Sequence, residues 1–297
     1  MDPNTVDPAK LFSVAGMVIV ITGGGTGIGR MMTKAFAKNG AAKVYIVGRR
    51  KEKLEEAARE AGVNGNVIPI VGDVGSKESL SKVAEQVKNE IGFVNLLVCN
   101  SGVYSPPVAK PGDVSVEEFA RLGLEQGMEQ WNDCFAINTT AVAFTSFTFL
   151  PLLSAGNQRS NCPGRKSQIL VTSSIAGYLR NPNAIGAYPL SKAATTHLVK
   201  GLSGAFVPYS IRVNALAPGL FPSDLAAGII AGAGDSKGQD PSVEGAYDRK
   251  FIPAERLGSS ADMAGTVLYL ASAAGAYVNG NVLIVDGGRI SQIPGTY

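Results

Sequence analysis

The sequence predicts an α/β protein built on a doubly wound parallel sheet with helices on both faces. Seven short runs rich in β-branched residues alternate with longer stretches of helical periodicity along the 297 residues. Such alternation implies parallel strands joined by crossover helices. A glycine-rich turn separates the first strand from the first helix. Hydrophobic residues make up 45% and charged residues 17% of the chain, so it can bury one large core.

Each predicted strand is an apolar run bounded by glycine or polar residues. The strands are Val18–Ile21, Val44–Val47, Val67–Val71, Leu96–Cys99, Ile169–Thr172, Ile211–Leu216 and Val282–Val285. Each predicted helix has apolar residues at helical spacing. The helices are Ile28–Lys38, Lys51–Ala61, Lys77–Ile91, Glu129–Leu153, Ser191–Phe206 and Ala261–Ser272.

Two stretches interrupt this alternation. Ser154–Lys166 is polar and contains glycine, which indicates a surface excursion between a helix and a strand. Ala226–Pro253 is rich in small residues and too long for a simple turn. Because ligands of open α/β sheets bind beyond the carboxyl ends of the strands, residues 220–255 are either a substrate lid or a disordered insertion. We expect one domain, with residues 1–15 as an N-terminal extension.

Composition excludes several classes of function. The net charge of +3 does not favour nucleic acid or an anionic membrane as partner. Three widely spaced cysteines argue against a disulfide framework and for a reducing compartment. The only histidine, His197, excludes a two-histidine metal site, and a packing or surface role suits it better than that of a base. With no visible signal peptide and no apolar run of membrane-spanning length, we expect a cytoplasmic protein without a bound metal.

The first strand runs into ITGGGTGIGR, with glycines at positions 23, 27 and 29. Glycine permits a tight turn and a close approach of the backbone to a pyrophosphate, and the helix that starts at Ile28 offers free N–H groups. A phosphate-hydrolysing loop would end in Gly-Lys-Ser/Thr, whereas this one ends in Gly29-Arg30-Met31. The turn therefore predicts a dinucleotide site.

The end of the second strand indicates which dinucleotide is bound. An acidic residue there would bind the ribose hydroxyls of NAD. The chain instead has Gly48, Arg49 and Arg50. Since a guanidinium can bind a 2′-phosphate through two hydrogen bonds, we favour NADPH over NADH. The alternative is a solvated basic helix start, although that position more often carries acids.

Tyr188 lies four residues before Lys192, the spacing that places two side chains on one face of a helix. One interpretation is purely structural: Pro189 suits a first helical position, and Ala193, Ala194, Leu198 and Leu202 form a packing stripe. That interpretation does not explain the pairing of a phenol with an amine.

Taken in order, the motifs resemble those of the single-domain short-chain dehydrogenases/reductases, from about Gly16 to Arg289. They are TGGGTGIG at Thr22–Gly29, GDV at Gly72–Val74, CNSG at Cys99–Gly102, Asn138 in FAINTT, TSSIAG at Thr172–Gly177, Tyr188 with Lys192, APG at Ala217–Gly219 and VDGG at Val285–Gly288. YxxxK alone is common by chance, but this ordered set is highly specific. Within that family the chain is similar to NADPH-dependent 3-oxoacyl-carrier-protein reductases.

The resemblance implies a Rossmann-type fold of seven parallel strands and catalysis by Asn138, Ser174, Tyr188 and Lys192. Tyr188 would exchange a proton with the substrate oxygen, Lys192 would hold the nicotinamide ribose, and Ser174 would hydrogen-bond the carbonyl or alkoxide. Asn138 would fix a water on the proton path. A homotetramer is also implied.

The same resemblance implies a set of residues around NADP(H), with Asp73 facing the adenine. The set is Gly23, Gly25, Thr26, Gly27, Ile28, Gly29, Arg49, Arg50, Asp73, Val74, Asn100, Gly102, Tyr188, Lys192, Pro218, Gly219 and Ser223.

Three details depart from the family pattern. The spacing from Ser174 to Tyr188 is one residue longer than usual, so Ser173 remains an alternative, although Ser174 directly precedes IAG. Ser101 replaces the alanine usual in NNAG. After APG, Ser223 stands where a threonine often binds the carboxamide. The structural alternatives for Ser173, Ser174 and Asn138 are turn capping and hydrogen bonding within a helix.

Lowering a phenol pKa from about 10 to near 7 requires about 4 kcal/mol. An ammonium about 4 Å away supplies roughly that amount at an effective dielectric near 20. Burial opposes this effect, so we expect Ser174 and an oxidised nicotinamide to assist.

The residues expected near the substrate are mostly apolar, which suits a hydrophobic or aromatic ketone. The substrate set is Ser174, Tyr178, Leu179, Leu220 and Phe221, with Val103, Tyr104 and Ile175 nearby. We expect NADPH-dependent reduction of a ketone of the 3-oxoacyl or polyketide type. Two alternatives stay open: a cyclase, epimerase or dehydratase on the same fold, and a non-catalytic NADP-binding regulator.

Overall fold

The computed structural model describes residues 5–108, 110–181, 185–232, 236 and 238–296. The seven predicted strands form one parallel sheet in the order β3-β2-β1-β4-β5-β6-β7, which confirms the predicted fold class. The strands are β1 Val18–Thr22, β2 Lys43–Gly48, β3 Val67–Val71, β4 Leu96–Cys99, β5 Gln168–Thr172, β6 Arg212–Pro218 and β7 Val282–Val285.

Helices cover both faces of the sheet. They are α1 Pro8–Leu11, α2 Gly27–Lys38, α3 Lys51–Ala61, α4 Lys77–Glu90, α5 Val116–Glu125, α6 Met128–Phe135, α7 Ala141–Arg159, α8 Ala187–Ala205, α9 Ala227–Gly232 and α10 Ser260–Ala271. Alternate residues of β1 belong to different cores: Ile19 packs with α2, α3 and α10, and Val20 packs with α4, α7 and α8. Because both faces are buried, the strands are continuously apolar.

The chain order of the strands reverses between β1 and β4. Ile19 of β1 lies between Val44 of β2 and Leu96 of β4 in register. In open α/β sheets the crevice beyond the carboxyl ends at such a point is the usual ligand site. The glycine turn after β1 and the CNSG segment after β4 therefore meet at one place.

The predicted helix Glu129–Leu153 is two helices joined by a π-helical turn, Ala136–Thr140, and it continues to Arg159. Ser154–Arg159 is therefore helical, and the predicted surface excursion is shorter than expected. By length and composition the run Met128–Arg159 could cross a membrane, which corrects the expectation that no run would reach that length. Core helices of soluble proteins pass the same test, and Phe149, Leu152 and Leu153 are buried in the core.

Helix α8 begins at Ala187, four residues earlier than predicted, so Pro189 is its third residue. The predicted packing stripe is wrong at Ala193, which is exposed. The buried face carries Tyr188, Ser191, Lys192 and Thr195 instead, together with Val199 and Leu202. The face that holds Tyr188 and Lys192 thus points into the protein, and His197 lies on the exposed face.

The predicted N-terminal extension contains the short helix α1, and residues 220–255 contain α9. Leu220 packs on a small separate core formed by Ala246, Tyr247, Ile252 and Leu257. Residues 233–235 and 237 of this candidate lid lie outside the described residues, as do residues 182–184 of the loop before Tyr188. A lid function for residues 220–255 stays a prediction.

Candidate active site

A cleft of about 470 Å³ opens along the carboxyl ends of the strands. Every residue of the predicted cofactor set lines it, from the glycine turn and Arg49 at one end to Tyr188 and Lys192 at the other. The lining also contains residues that were not predicted. They are Gly48, Lys53, Leu54, Gly72, Ser101, Ile137, Thr172, Asp224, Leu225 and Ala226.

The glycine turn lets α2 begin directly against the end of β4. A methyl group on Gly29 would lie 2.1 Å from the Gly23 carbonyl oxygen and 2.6 Å from Asn100 Nδ2, so no side chain fits there. The backbone of Gly23 has φ +67°, which glycine adopts without strain. Thr26 makes no side-chain cap at the start of α2, which leaves the first N–H groups available to an anion.

Asn100, directly after β4, forms hydrogen bonds with the ends of β1 and β5. Its backbone N–H donates to Thr22 Oγ1 at 3.0 Å, its Nδ2 donates to the Thr22 carbonyl at 3.1 Å, and its Oδ1 accepts from Thr172 Oγ1 at 3.1 Å. This side chain therefore fixes the floor of the cleft at the crossover between β1, β4 and β5.

Three cations border the cleft beyond β2. Arg49 and Arg50 are exposed and have no ion-pair partner among the described residues, while Lys53 Nζ lies 3.2 Å from Glu56 Oε2. Glu56 is also paired with Arg30, at 3.1 Å. The two residues directly after β2 are both arginines, and with Lys53 they make this end of the cleft cationic. Asp73, further along, uses Oδ1 to accept the Gly75 N–H at 2.9 Å.

The Tyr188 phenol is 9% exposed and hydrogen-bonded to the Ser174 side chain. Burial raises its pKa to about 12, and the Ser174 hydrogen bond lowers that pKa only in part. In the chain without cofactor burial outweighs the lowering effects, as expected, and a phenol pKa near neutrality with the nicotinamide bound stays a prediction. At neutral pH Tyr188 keeps its proton.

Lys192 is buried at 4% exposure, with Nζ 5.9 Å from the centre of the Tyr188 ring. Burial lowers its pKa to about 8. Nζ donates one hydrogen bond, of 2.8 Å, to the Thr172 carbonyl at the end of β5. An ammonium carries three donors, so it retains N–H groups for a ligand hydroxyl.

The two candidate serines have different surroundings. Ser173 Oγ lies 2.8 Å from Thr196 Oγ1 and 3.1 Å from the Lys192 carbonyl, so it joins β5 to α8. Ser174 reaches the Tyr188 hydroxyl and accepts the Ala176 N–H at 3.1 Å. The structure thus brings Ser174, rather than Ser173, to the phenol.

Gly177 explains how the turn after Ser174 packs so close to α8. A methyl group there would lie 2.8 Å from the Lys192 carbonyl carbon and 2.9 Å from the Ala193 nitrogen. Only glycine lets this 3₁₀ turn, Ile175–Tyr178, lie directly on the helix backbone. The SSIAG motif therefore sets the distance from Ser174 to Tyr188.

Asn138 lies in the π-helical turn, fully buried and behind the cleft. Its Oδ1 accepts the Val103 N–H at 2.9 Å, and its Nδ2 donates to the Val103 carbonyl at 3.0 Å and to Ser191 Oγ at 3.0 Å. Its carbonyl accepts the Thr195 hydroxyl at 2.6 Å. The side chain thus braces the loop after β4 against α8, and the water predicted at Asn138 stays a prediction.

The structure separates the predicted substrate residues into two groups. Ser174 and Phe221 line the cleft, and Phe221 is buried. Tyr178, Leu179 and Leu220 do not line the cleft. Tyr104 contacts Tyr188 edge-on, with ring centres 5.2 Å apart, and is 37% exposed. Tyr104 and Val103, which lines the cleft, thus place an apolar wall beside the phenol.

Sequence reasoning missed Cys134 and Ser191, which lie behind the phenol. Cys134 Sγ lies 3.5 Å from Ser191 Oγ and accepts from Asn138 Nδ2 at 3.3 Å. Burial raises the pKa of Cys134, so its thiol stays neutral next to Tyr188. The available signal was the i, i+4 pair of Ser191 and Thr195, which flanks Lys192 on the buried face of α8.

The donors and the shape of the cleft fit a nicotinamide dinucleotide. The start of α2 has no side-chain cap, and the glycine-rich turn lets the backbone come close, which together suit a pyrophosphate. The cations beyond β2 suit a further phosphate. Among the described residues, no group of three or more His, Cys, Asp or Glu side chains could hold a metal ion.

A family model described as short chain dehydrogenase matches residues 17–233. The chain belongs to this family. PhomF of Diaporthe leptostromiformis, named a short-chain dehydrogenase/reductase, is 42% identical over 290 residues, or 97% of this chain and 96% of the relative. The family predicted from the motifs is therefore confirmed.

Two solved structures share the fold along nearly the whole chain. The Pseudomonas aeruginosa RhlG/NADP active-site complex has a TM-score of 0.75 at 29% identity and covers 95% of this chain and 99% of its own. The 3-ketoacyl-(acyl-carrier-protein) reductase of Brucella melitensis complexed with NADH has a TM-score of 0.73 at 26% identity, with coverages of 94% and 100%. This protein is thus an oxidoreductase that uses a nicotinamide cofactor and a small-molecule substrate.

Proposed function

We propose that this protein is an NADPH-dependent reductase of a ketone on a mainly apolar substrate, of the 3-oxoacyl or polyketide type. The observation that carries the proposal is that the buried Tyr188 phenol lies with Ser174 and Lys192 in the same cleft as the glycine turn. A phenol that keeps its proton at neutral pH is a donor for the oxygen of a ketone under reduction.

Four residues perform separate tasks in this reaction. Ser174 holds the substrate oxygen next to Tyr188, and Tyr188 donates its proton to that oxygen. The nicotinamide, when bound, supplies the hydride. Lys192 holds a ribose hydroxyl with the N–H groups that Thr172 does not use, and its charge favours the phenolate left after proton transfer. Asn138 keeps the Val103 loop and α8 in place.

The preference for NADPH rests on the cationic end of the cleft. Arg49 and Arg50 have no acidic partner among the described residues, and Lys53 lies beside them. A 2′-phosphate gains charge-assisted hydrogen bonds there that the 2′-hydroxyl of NADH cannot make. Of the two similar structures, one is named with NADP and the other with NADH, so the preference is argued from this chain's own residues.

The substrate class rests on the apolar wall that Val103 and Tyr104 form beside the Tyr188 phenol. It is also supported by the similarity of this chain to the 3-ketoacyl-(acyl-carrier-protein) reductase of Brucella melitensis. Tyrosine edges among apolar side chains suit a hydrophobic or aromatic ketone better than a small hydroxy acid.

A cytoplasmic homotetramer completes the proposal. All three cysteines are buried and free, which suits a reducing compartment. Exposed apolar side chains on α5 and α7, such as Leu124 and Phe147, are available for association between copies.

The test is a cofactor-oxidation screen of diverse ketones, run with NADPH and NADH in parallel, with the products identified by mass. We expect bulky apolar ketones to be reduced to alcohols with NADPH preferred. A panel led by short hydroxy acids would contradict the substrate class. Products formed without net cofactor oxidation would show a cyclase, epimerase or dehydratase instead, and binding of NADPH without any conversion would show a regulator.

A further inference from the structure

A second cavity, of about 330 Å³, lies at the amino ends of the strands, at the opposite end of the sheet from the cleft. Met17 and Asn95 line it directly before β1 and β4, and Gln168 lines it as the first residue of β5. The loop between α7 and β5 and the last residue of α10 complete most of its wall. Its volume is at the lower end of the range of about 300–1,000 Å³ for small-molecule sites.

The cations at this cavity have no acidic counterpart. Arg165 and Lys166 line it, and no aspartate or glutamate is among its described lining residues. Within the described part of the chain, neither cation forms an ion pair. Arg212, the first residue of β6, is 8% exposed and lies in register with Gln168. Since in-register residues of parallel strands project from the same face, Arg212 and Gln168 point to the same side of the sheet.

The two arginines lie close enough to affect each other. Burial lowers the pKa of Arg212 to about 10, and the nearby charge of Arg165 lowers it further. Two buried or half-buried cations without an acid between them repel each other. An anion between them would remove that repulsion.

Four buried donor atoms at this end of the sheet have no hydrogen-bond partner among the described residues. They are Arg165 Nε, Gln168 Nε2, and Arg212 Nε and Nη2. The remaining nitrogens hold the guanidinium groups in place: Arg212 Nη1 donates to two carbonyls at 2.9 and 2.8 Å, and Arg165 Nη1 donates to the Ser13 carbonyl at 2.8 Å. Buried donors are rarely left unpaired, so these atoms indicate an acceptor that the chain does not supply.

The unpaired atoms of Arg212 have the geometry for an oxyanion. Nε and Nη2 form one edge of the planar guanidinium, and such an edge donates two parallel hydrogen bonds to a carboxylate or a phosphate. Gln168 Oε1 accepts from Asn214 Nδ2 at 3.1 Å, which fixes the amide so that its own Nδ-type donor, Nε2, stays unpaired.

We propose that this cavity binds a small oxyanion, a phosphate or carboxylate group, between Arg165 and the unpaired edge of Arg212. Gln168 Nε2 donates a further hydrogen bond to it. The anion joins the loop between α7 and β5 to the start of β6 and so stabilises the fold. The proposal does not depend on the proposed ketone reduction, because the cavity lies at the other end of the sheet.

The test measures thermal unfolding of the full chain with inorganic phosphate and, separately, with malonate, each against sodium chloride at equal ionic strength. We expect at least one of them to raise Tm by about 2 °C at about ten times its Kd, since a ligand that binds only the folded chain stabilises it. A rise with one anion alone identifies the group that the site takes. No rise with either anion would overturn the proposal.

The cationic end of the cofactor cleft is a second place where phosphate can bind, so two variants with the same change of charge separate the sites. Arg165→Gln should abolish the rise in Tm, whereas Arg49→Gln should keep it. A rise lost only in Arg49→Gln would place the anion in the cofactor cleft. That result, or a rise kept in both variants, would overturn the proposal.

A further pair of variants supplies the anion from the chain itself. Ala276 lines the cavity and follows Gly275, whose carbonyl accepts from Arg212. Ala276→Asp should unfold at a higher temperature than the neutral control Ala276→Asn and should respond less to phosphate. An aspartate variant no more stable than the asparagine variant would contradict the proposal, and this comparison decides even where Arg165→Gln does not fold. Because every readout is stability, a chain that reduces no ketone would refute the proposed function alone.

Discussion

At the residue scale, burial moves the pKa values of Tyr188 and Lys192 in opposite directions. The pKa of the Tyr188 phenol rises to about 12 and the pKa of the Lys192 ammonium falls to about 8. In both groups burial disfavours the charged form, which is the phenolate in one and the ammonium in the other. The chain by itself therefore favours a protonated phenol beside an amine that is easily neutralised. That state suits donation of a proton to a ketone, and the reverse reaction needs a phenolate that the chain alone does not stabilise.

Replacing Lys192 with methionine should stabilise the cofactor-free protein while abolishing turnover. In the unfolded chain lysine stays charged up to its ordinary pKa of 10.5, but in the fold its pKa is about 8. Folding the charged form thus costs about 3 kcal/mol below that pKa. The lost hydrogen bond to Thr172 offsets about 1 kcal/mol of the gain.

The sign of the pH dependence follows from proton binding. Between the two pKa values the unfolded chain binds more protons than the fold, so wild-type stability rises with pH there relative to the variant. Denaturant unfolding at about pH 7 and about pH 10 should show the advantage of Lys192→Met shrinking as pH rises. A variant less stable than the wild type near neutrality would contradict this account of the buried amine.

A second prediction concerns the residue after β2. Arg49→Asp should reduce the ratio of kcat/KM for NADPH to that for NADH at least about tenfold, because a carboxylate repels the 2′-phosphate that a guanidinium binds. Lys51→Asp is the control, since it makes the same change of charge outside the cleft. Steady-state kinetics with both cofactors measure the ratio. If both variants changed the cofactor ratio equally, the preference would come from the long-range charge of this surface and not from a contact between Arg49 and the 2′-phosphate.

At the element scale, the 3₁₀ turn Ile175–Tyr178 and helix α8 share one contact that fixes the active site. Gly177 lies on the backbone of Lys192 and Ala193, so the turn that carries Ser174 and the helix that carries Tyr188 cannot shift independently. Cores transmit such displacements because they are close-packed.

Gly177→Ala should therefore destabilise the fold by about 1–3 kcal/mol through overpacking and also lower kcat, since Ser174 moves away from Tyr188. Gly201→Ala on the exposed face of α8, where nothing lies within 4 Å of the added methyl, should stabilise by about 0.5–1 kcal/mol. Thermal unfolding and turnover of both variants provide the measurement. Full activity in Gly177→Ala would show that the turn has room to adjust.

At the scale of the whole molecule, local signals were readable from the sequence and long-range ones were not. The glycine turn, Arg49 and the Tyr188–Lys192 pair depend on neighbours within a few residues, and the structure brings them into one cleft. The antiparallel bridge between Leu179 and Gly295 joins residues far apart in the sequence, and no periodicity predicts it. Likewise, the phenol pKa depends on burial by several elements, so the sequence could name burial as an opposing effect but not its size.

Fold irregularities escaped prediction for similar reasons. The π-helical turn around Asn138 leaves the apolar pattern of Met128–Arg159 unbroken, so the sequence indicated one helix. Helix α5 buries none of its residues, and the local signals of its start are the Ser115 cap and the acidic first turn with Glu117 and Glu118. Neither irregularity changes the strand order, which is why the doubly wound sheet was predictable.

The measurement that tests the central claim compares Tyr188→Phe with the wild type in two quantities, the Kd for NADPH and the rate of ketone turnover. The phenol lies far from the cations beyond β2, so removing its hydroxyl should leave the Kd for NADPH unchanged. Ketone turnover should fall by about 10²–10⁴-fold, because no proton donor remains beside Ser174. Near wild-type turnover by Tyr188→Phe, with NADPH bound normally, would contradict the account.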